Sequence, residues 1–181
     1  MRILGIDPGL RLTGYGCLQS PAPKGSPCEA LVIEAGVFRL DIKRSVADRL
    51  VELDTDFREL LTRTRPDIVA VEMLFSHYKH PVTAIVMGHA RGVLLLAARQ
   101  ARIPIVELRP TEVKKSLTGH GHAEKGQMQR AIKHELRLAT EPEPPDVADA
   151  LAIALCAARR REVDDLPTDI ATARARTRTP R

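Results

Sequence analysis

At 181 residues with 44% hydrophobic content, the chain is long enough for one well-filled core and a short tail. Aromatic residues make up only 3% and tryptophan is absent, so Leu, Val, Ile and Ala must fill a core of the α/β type. The net charge of +5 favours a polyanionic partner such as nucleic acid or an anionic membrane surface. No run approaches about eighteen apolar residues and no secretory signal is evident, which predicts a soluble cytoplasmic protein. Cys17, Cys28 and Cys156 lack CxxC spacing and are expected to be reduced thiols.

The first part of the chain predicts three strands and a helix. Strands at 2–6, 14–18 and 31–40 are separated by turn-forming residues and are expected to form an antiparallel meander. Ser45 followed by Asp48 forms a capping box, and apolar residues then recur at helical spacing as far as Leu61. An amphipathic helix is therefore expected after the third strand.

Strands and helices alternate in the next part. PDIVAVE at 66–72 predicts a strand, 81–99 a helix, and IPIVEL from Ile103 another strand. Such alternation favours parallel pairing through right-handed crossovers. The predicted fold is therefore α/β, with a five-stranded mixed sheet flanked by helices.

The remaining chain is predicted to be helical. Helices are expected at 111–117, at 123–138 and, after the break EPEPP, at 146–161. Beyond Glu162 the sequence is polar, arginine-rich and without periodicity, which predicts a basic disordered tail. The expected organisation is one domain at 1–161 and a tail at 162–181.

Two predicted strands end on an acidic residue. Asp7 shares a strand face with Ile3 and Gly5, and Glu72 stands in the same position at the end of IVAVE. If these strands are parallel neighbours, both carboxylates lie at the sheet edge where open α/β proteins bind ligands. Neighbouring desolvated carboxylates repel each other unless a cation compensates. A divalent ion such as Mg²⁺ or Mn²⁺ suits oxygen ligands of this kind.

The last helix carries two further acids. Asp146 and Asp149 are three residues apart and therefore share one side of the first turn, where the helix dipole favours negative charge. Taken separately, these acids are explained by helix capping, Asp7 by turn capping and Glu72 by a solvent-facing strand end. Those explanations do not account for four acids placed to converge.

Five stretches in this order resemble the bacterial RuvC-type Holliday-junction endodeoxyribonucleases: GIDPGLRLTGYG, AVEMLFSH, GHARGVLLLAA, TGHGHAEKGQ and PPDVADALAIA. The resemblance extends from Met1 to about Arg160. It implies a ribonuclease H-like fold, a homodimer, association with the RuvA–RuvB branch-migration complex, and Mg²⁺-dependent symmetric nicking of four-way DNA junctions in recombination and repair. The nicks are expected to leave 5′-phosphate and 3′-hydroxyl ends.

The resemblance places the four catalytic acids at Asp7, Glu72, Asp146 and Asp149. Some family members have a histidine where this chain has Asp146. Four carboxylates are able to hold two Mg²⁺ ions, or Mn²⁺ as a substitute, about 4 Å apart, with one ion activating water and the other stabilising the leaving oxygen. Asp7 is expected to bridge the ions, Glu72 and Asp149 each to hold one, and Asp146 to complete the shell or orient the water.

Basic residues flank the glycine-containing loop TGHGHAEKG. The resemblance makes Lys114 and Lys125 the expected phosphate contacts, whereas Lys115 is also explained as a solvated surface residue. His120 and His122 form an HxH pattern that lacks further zinc ligands at suitable spacing, so contact with phosphate is favoured over zinc.

The segment after Glu72 is the other candidate DNA contact. The resemblance suggests that Phe75 stacks on an unpaired base at the junction, although an aromatic there also fits an ordinary core position. Tyr78, Lys79 and His80 share that segment and are further candidate contacts.

Helix 81–99 contains small residues at Gly88, Ala90 and Gly92, with Arg91 among them. Small side chains permit close helix packing, which makes this helix the predicted dimer interface. Packing within one chain explains the same residues equally well.

Three other functions share some of these features. An actin-like or sugar-kinase-like ATPase would explain GIDPG but needs a second domain and a second phosphate motif. A non-catalytic junction-binding module would not need four acids, which repel DNA without metal. A ribonuclease H-like nuclease acting on RNA–DNA hybrids could share the acids but not the VKKSLTGHGHAEKGQ region.

Overall fold

The computed structural model describes residues 1–20, 30–74, 81–121 and 124–163, with the backbone alone at 81, 125 and 161–163. Within these ranges the chain forms five strands and five helices. The strands are β1 Arg2–Asp7, β2 Leu12–Gln19, β3 Leu31–Arg39, β4 Ile68–Glu72 and β5 Ile105–Leu108. The helices are α1 Val46–Thr64, α2 Pro81–Gln100, α3 Pro110–Thr118, α4 Lys125–Glu135 and α5 Pro145–Val163.

The strands form one mixed sheet in the order β3-β2-β1-β4-β5. β1, β2 and β3 pair antiparallel, whereas β4 pairs parallel with both β1 and β5. The predicted five-stranded mixed sheet is therefore confirmed. Because β1, β4 and β5 run in the same direction, their carboxyl ends lie along one edge of the sheet, which we call the catalytic edge.

Two apolar layers cover the sheet. On one face, Ile3, Ala70 and Leu108 pack with the buried side of α5, and α3 and α4 cover the outside of that helix. On the other face, the intervening residues of β1 and β4 pack against α1 and α2. The alternation of apolar side chains along β1 and β4 therefore supplies both layers, as expected for strands buried on both faces.

Several element boundaries differ from the predictions. β5 begins at Ile105 because the backbone N–H of Ile103 still bonds to the carbonyl of Ala98 and completes the turn after α2. α4 ends at Glu135, three residues before the predicted end, since Arg137 has a positive φ of 50° that no helix continues.

Helix α2 corrects the expectation about membrane-length segments. Val82–Gln100 has a mean hydropathy of 1.3, and by length and composition alone it is able to cross a membrane. Its inner side, however, contributes Ala90, Leu94 and Ala97 to the core beneath the sheet. We therefore treat α2 as a core helix with an exposed apolar side.

Cys17 and Cys156 are buried free thiols. Burial raises the pKa of Cys17 to about 11 and also raises that of Cys156, so both are protonated at neutral pH. Cys28 lies outside the described residues, as do residues 164–181 of the predicted tail.

Candidate active site

The register between β1 and β4 brings Asp7 and Glu72 to the same edge of the sheet. Ile6 pairs with Val71, so the next residue along each strand is one of the two acids. Both acids are half-buried and follow fully buried residues. The prediction that these strands are parallel neighbours is confirmed.

Helix α5 lies directly on the sheet because two glycines allow its backbone to approach. A Cβ on Gly5 would lie 2.1 Å from the carbonyl oxygen of Ala150, and a Cβ on Gly14 would lie 2.1 Å from that of Asp146. Gly14 is also the pairing partner of Asp7. The first turn of α5, which carries Asp146, therefore sits against the strand next to Asp7.

The charge of Asp149 on α5 acts on the carboxyl of Glu72, which indicates that these two acids lie close together. Burial and, to a lesser extent, the charge of Asp149 raise the pKa of the Glu72 carboxyl to about 7. Lys114, on α3, acts in the opposite direction. A strand-end acid, a helix acid and a lysine thus influence one another at the catalytic edge.

Arg91 of α2 holds the same strand end from the other side. Its Nε donates a hydrogen bond to the backbone carbonyl of Glu72 at 3.3 Å, and its Nη2 pairs with the carboxylate of Glu107. The sequence placed Arg91 on the predicted dimer helix and offered no sign of this contact, since 19 residues separate it from Glu72.

The acids suit a divalent cation in chemistry. The described residues contain no group of three or more Asp, Glu, His or Cys side chains already arranged to hold a metal ion. Asp7, Glu72, Asp146 and Asp149 nevertheless offer only carboxylate oxygens, which Mg²⁺ and Mn²⁺ prefer. A divalent cation would also relieve the repulsion between Asp149 and Glu72.

The predicted DNA contacts are described in part. Lys114 is half-buried beside Glu72, whereas Lys115 is exposed on the same helix. His120 is exposed, and its backbone N–H bonds to the hydroxyl of Thr118. The backbone of Lys125 begins α4. The other predicted contacts lie outside the described residues: Phe75, Tyr78, Lys79, His80 and His122.

The strand order, with acids at the ends of β1 and β4 and in the first turn of α5, defines a ribonuclease H-like nuclease fold. The family model described as crossover junction endodeoxyribonuclease RuvC matches residues 3–157. The RuvC of Rhodopirellula baltica is 47% identical over 154 residues, which is 85% of this chain and 84% of that protein. The chain belongs to the RuvC family of crossover junction endodeoxyribonucleases.

Solved structures agree with this assignment. Thermus thermophilus RuvC in complex with Holliday junction substrate is 35% identical with a TM-score of 0.81, covering 90% of this chain and 96% of that one. The yeast mitochondrial Holliday junction resolvase Ydc2 is 15% identical with a TM-score of 0.61, covering 87% and 77%, and shares the fold alone. Membership of the family makes this chain a nuclease and implies divalent-metal dependence.

Proposed function

We propose that this protein resolves Holliday junctions by paired, symmetric, metal-dependent nicking of four-way DNA during recombination and repair. Its family and the junction-bound Thermus thermophilus relative support this substrate. The observation that carries the proposal is geometric: β1 and β4 end side by side on Asp7 and Glu72, and α5 lies on Gly14, the pairing partner of Asp7. The charge of Asp149, on the same helix, also acts on Glu72. Two distant acids so coupled are expected where a cation is to be bound.

Each of the four acids would have a separate role in binding the metal ions. Asp7, from the central strand, would bridge two Mg²⁺ ions, for which Mn²⁺ is a possible substitute. Glu72 and Asp149 would each hold one ion, and Asp146 would complete the shell or orient the attacking water. When bound, the two ions supply an activated water and stabilise the leaving oxygen of an in-line displacement.

The phosphodiester reaction balances with water as the only co-reactant. The oxygen of water forms a bond to phosphorus while the bond from phosphorus to the 3′-oxygen breaks, and the 3′-oxygen takes up a proton. The products are a 5′-phosphate and a 3′-hydroxyl. Lys114, whose charge acts on Glu72, would contact the scissile phosphate.

The remaining DNA contacts follow the predictions from the sequence. Lys125 and His122 would bind phosphates near the cut, with Lys115 as a more distant contact. Phe75 would stack on an unpaired base at the junction, with Tyr78 and Lys79 beside it.

We propose that α2 forms the interface of a homodimer. Its outer side exposes 71% of Val82, 59% of Ile85 and 57% of Leu96. A Cβ on Gly88 or Gly92 would meet nothing within 4 Å, so the helix backbone is open to close approach. A two-fold axis through this apolar stripe would place two catalytic edges in one particle, as paired nicking requires.

Analytical ultracentrifugation of the Ile85→Glu variant tests this interface. A buried charge should convert the dimer to a monomer and replace paired nicks by unpaired ones. Val51→Glu is the matched control, since Val51 is 68% exposed on α1. A dimeric Ile85→Glu protein would place the interface elsewhere.

Three further proposals rest on the family. The nuclease domain would span 1–161, in agreement with the match to 3–157, and 162–181 would form a basic tail. The protein would act in the cytoplasm and associate with the RuvA–RuvB branch-migration complex.

A substrate panel tests the proposed activity. The protein is incubated with a four-way junction, a linear duplex or an RNA–DNA hybrid, each with Mg²⁺ or Mn²⁺, and the cuts are mapped. We expect paired symmetric nicks in the junction alone. Equal cutting of the hybrid would instead indicate a nuclease of RNA–DNA hybrids.

A further inference from the structure

A basic cavity that none of the four acids lines lies between α4 and the segment that follows it. This cavity has a volume of about 710 Å³. We call it the α4 groove, and it is lined by Arg130, Lys133, His134, Arg137, Leu138 and Glu141.

The α4 groove contains more positive than negative charge. Arg130, Lys133 and Arg137 face a single acidic side chain, Glu141, and His134 adds a further charge when protonated. Within the described part of the chain, no salt bridge involves Arg130, Lys133 or His134. Unneutralised cations around a concave surface concentrate positive potential there.

Neighbouring cations on α5 show the contrast. Arg159 pairs with the carboxylate of Glu135 at the end of α4, and Arg160 lies 3.3 Å from that of Glu112 on α3. These arginines join three helices and are internal links of the fold. Arg130, Lys133 and His134 make no such link within the described residues, so their charge is available to an external anion.

The spacing of the basic side chains suits a linear polyanion. Lys133 and His134 lie three and four residues after Arg130, and Arg137 lies three residues after His134, which places the four on one side of the helix and its end. From Arg130 to its last residue, Glu135, α4 rises about 7.5 Å, roughly the axial rise of two phosphate steps in one DNA strand.

We propose that the α4 groove binds the phosphodiester backbone of a junction arm, away from the cut. The inference rests on the proposed junction substrate and adds a contact surface to it. α4 begins at Lys125, a predicted phosphate contact, and the lining of the groove begins five residues later at Arg130. Under this proposal, DNA would run along α4 from its first turn to the groove.

The test is the salt dependence of junction binding, measured by fluorescence anisotropy without divalent cations so that no cutting occurs. Removing two phosphate contacts with Arg130→Gln/Lys133→Gln should reduce the slope of log K against log salt by about 2. The dissociation constant at 0.1 M salt should rise by roughly tenfold or more. The opposite change is expected for Glu141→Gln, which removes the acid of the groove and should tighten binding.

Arg65→Gln/Arg99→Gln is the charge-matched control. Both arginines are exposed at the edge of the sheet opposite the catalytic edge, just before β4 and β5 begin. Neither takes part in a salt bridge within the described residues. We expect this control to keep the wild-type slope within about 0.5, since distant charges are screened. Equal slopes for the two double variants would overturn the inference, whereas failure of the wild-type protein to bind junctions would overturn the proposed function.

Competition with inorganic pyrophosphate distinguishes a DNA-binding groove from a small-anion site. Unlabelled duplex DNA should displace a labelled junction from the wild-type protein at a much lower phosphate concentration than pyrophosphate does. If pyrophosphate instead displaces the junction at the lower concentration, and the Arg130→Gln/Lys133→Gln variant does not show this displacement, the groove binds a small polyphosphate. That result would contradict the proposal.

Discussion

Helices α5 and α2 are similar in length and rich in apolar residues, yet they use those residues differently. α5 has 19 residues and α2 has 20. From Val147 to Ala158 every residue of α5 is buried except Asp149, which is half-buried. α2 buries only one side and leaves Val82, Ile85 and Leu96 exposed.

This difference indicates what each helix is for. The apolar surface of α5 is buried within the chain, and the one polar residue in this stretch, Asp149, is a proposed metal ligand held by a rigid core. The outer surface of α2 has no partner within the described residues and suits a second copy of the chain. One helix therefore positions chemistry and the other is proposed to bring two such positions together.

The largest expected effect on stability comes from the close contact between α5 and the sheet. Gly5→Ala would place a methyl group 2.1 Å from a backbone oxygen of Ala150, which no rotamer change relieves. We expect the free energy of unfolding, measured with urea, to fall by about 3 kcal/mol or more. Both this variant and its control are compared in the Ile85→Glu background so that self-association contributes to neither.

Gly88→Ala is the matched control on α2, because its added methyl meets nothing within 4 Å. Its free energy of unfolding should stay constant or rise by up to about 1 kcal/mol, since alanine favours helix. Equal losses from both substitutions would show that α5 is not the more tightly seated helix.

The second prediction concerns the acid that α5 places beside β4. The pKa of Glu72 rises from 4.5 to about 7 on folding, so the folded state holds this proton more tightly than the unfolded state. Stability is therefore lost as pH rises from about 4.5 through 7, by about 3 kcal/mol at most. Glu72→Gln should be more stable than wild type by that amount at pH 8, with no advantage at pH 4.5.

Urea denaturation of both proteins between pH 4.5 and pH 8 measures this difference. Saturating Mg²⁺ should reduce the advantage of Glu72→Gln at pH 8, because a bound cation would compensate the charges. Parallel pH profiles for the two proteins would contradict the electrostatic coupling between Glu72 and its surroundings.

A smaller effect is expected where α2 touches the catalytic edge. Arg91→Ala removes the hydrogen bond to the carbonyl of Glu72 and should lower kcat by about tenfold, with KM and the dimer unchanged. Arg91→Lys should recover part of the rate. Single-turnover cleavage and ultracentrifugation check both points, and a dimer lost together with the activity would place Arg91 at the interface instead.

Much of this arrangement was predictable from local patterns. Short apolar runs located β1 and β4, and the acids at their ends were expected to meet because parallel strands end at one sheet edge. The prediction for α5 was confirmed in part, since Asp146 lies in its first turn whereas Asp149 follows just beyond that turn. The resemblance to a family added the substrate and the metal, which no spacing specifies.

Other features depend on contacts between distant residues and were not predictable. The roles of Gly5 and Gly14 appear only when α5 is placed on the sheet, because a glycine in a strand does not reveal what approaches it. The contact from Arg91 to the Glu72 carbonyl and the α4 groove both arise between elements that the sequence separates. The identities of the side chains alone predict neither the Arg91 contact nor the groove.

The central claim is that acids from β1, β4 and α5 form one divalent-cation site for DNA cleavage. Asp7→Asn tests it most directly, with Mg²⁺ binding measured by calorimetry and junction binding and cleavage assayed on the same samples. Because amide replaces a proposed bridging carboxylate without changing shape, the variant should lose Mg²⁺ binding and cleavage while binding the junction as tightly as wild type or more tightly. Cleavage by Asp7→Asn at the wild-type rate would contradict the two-metal assignment.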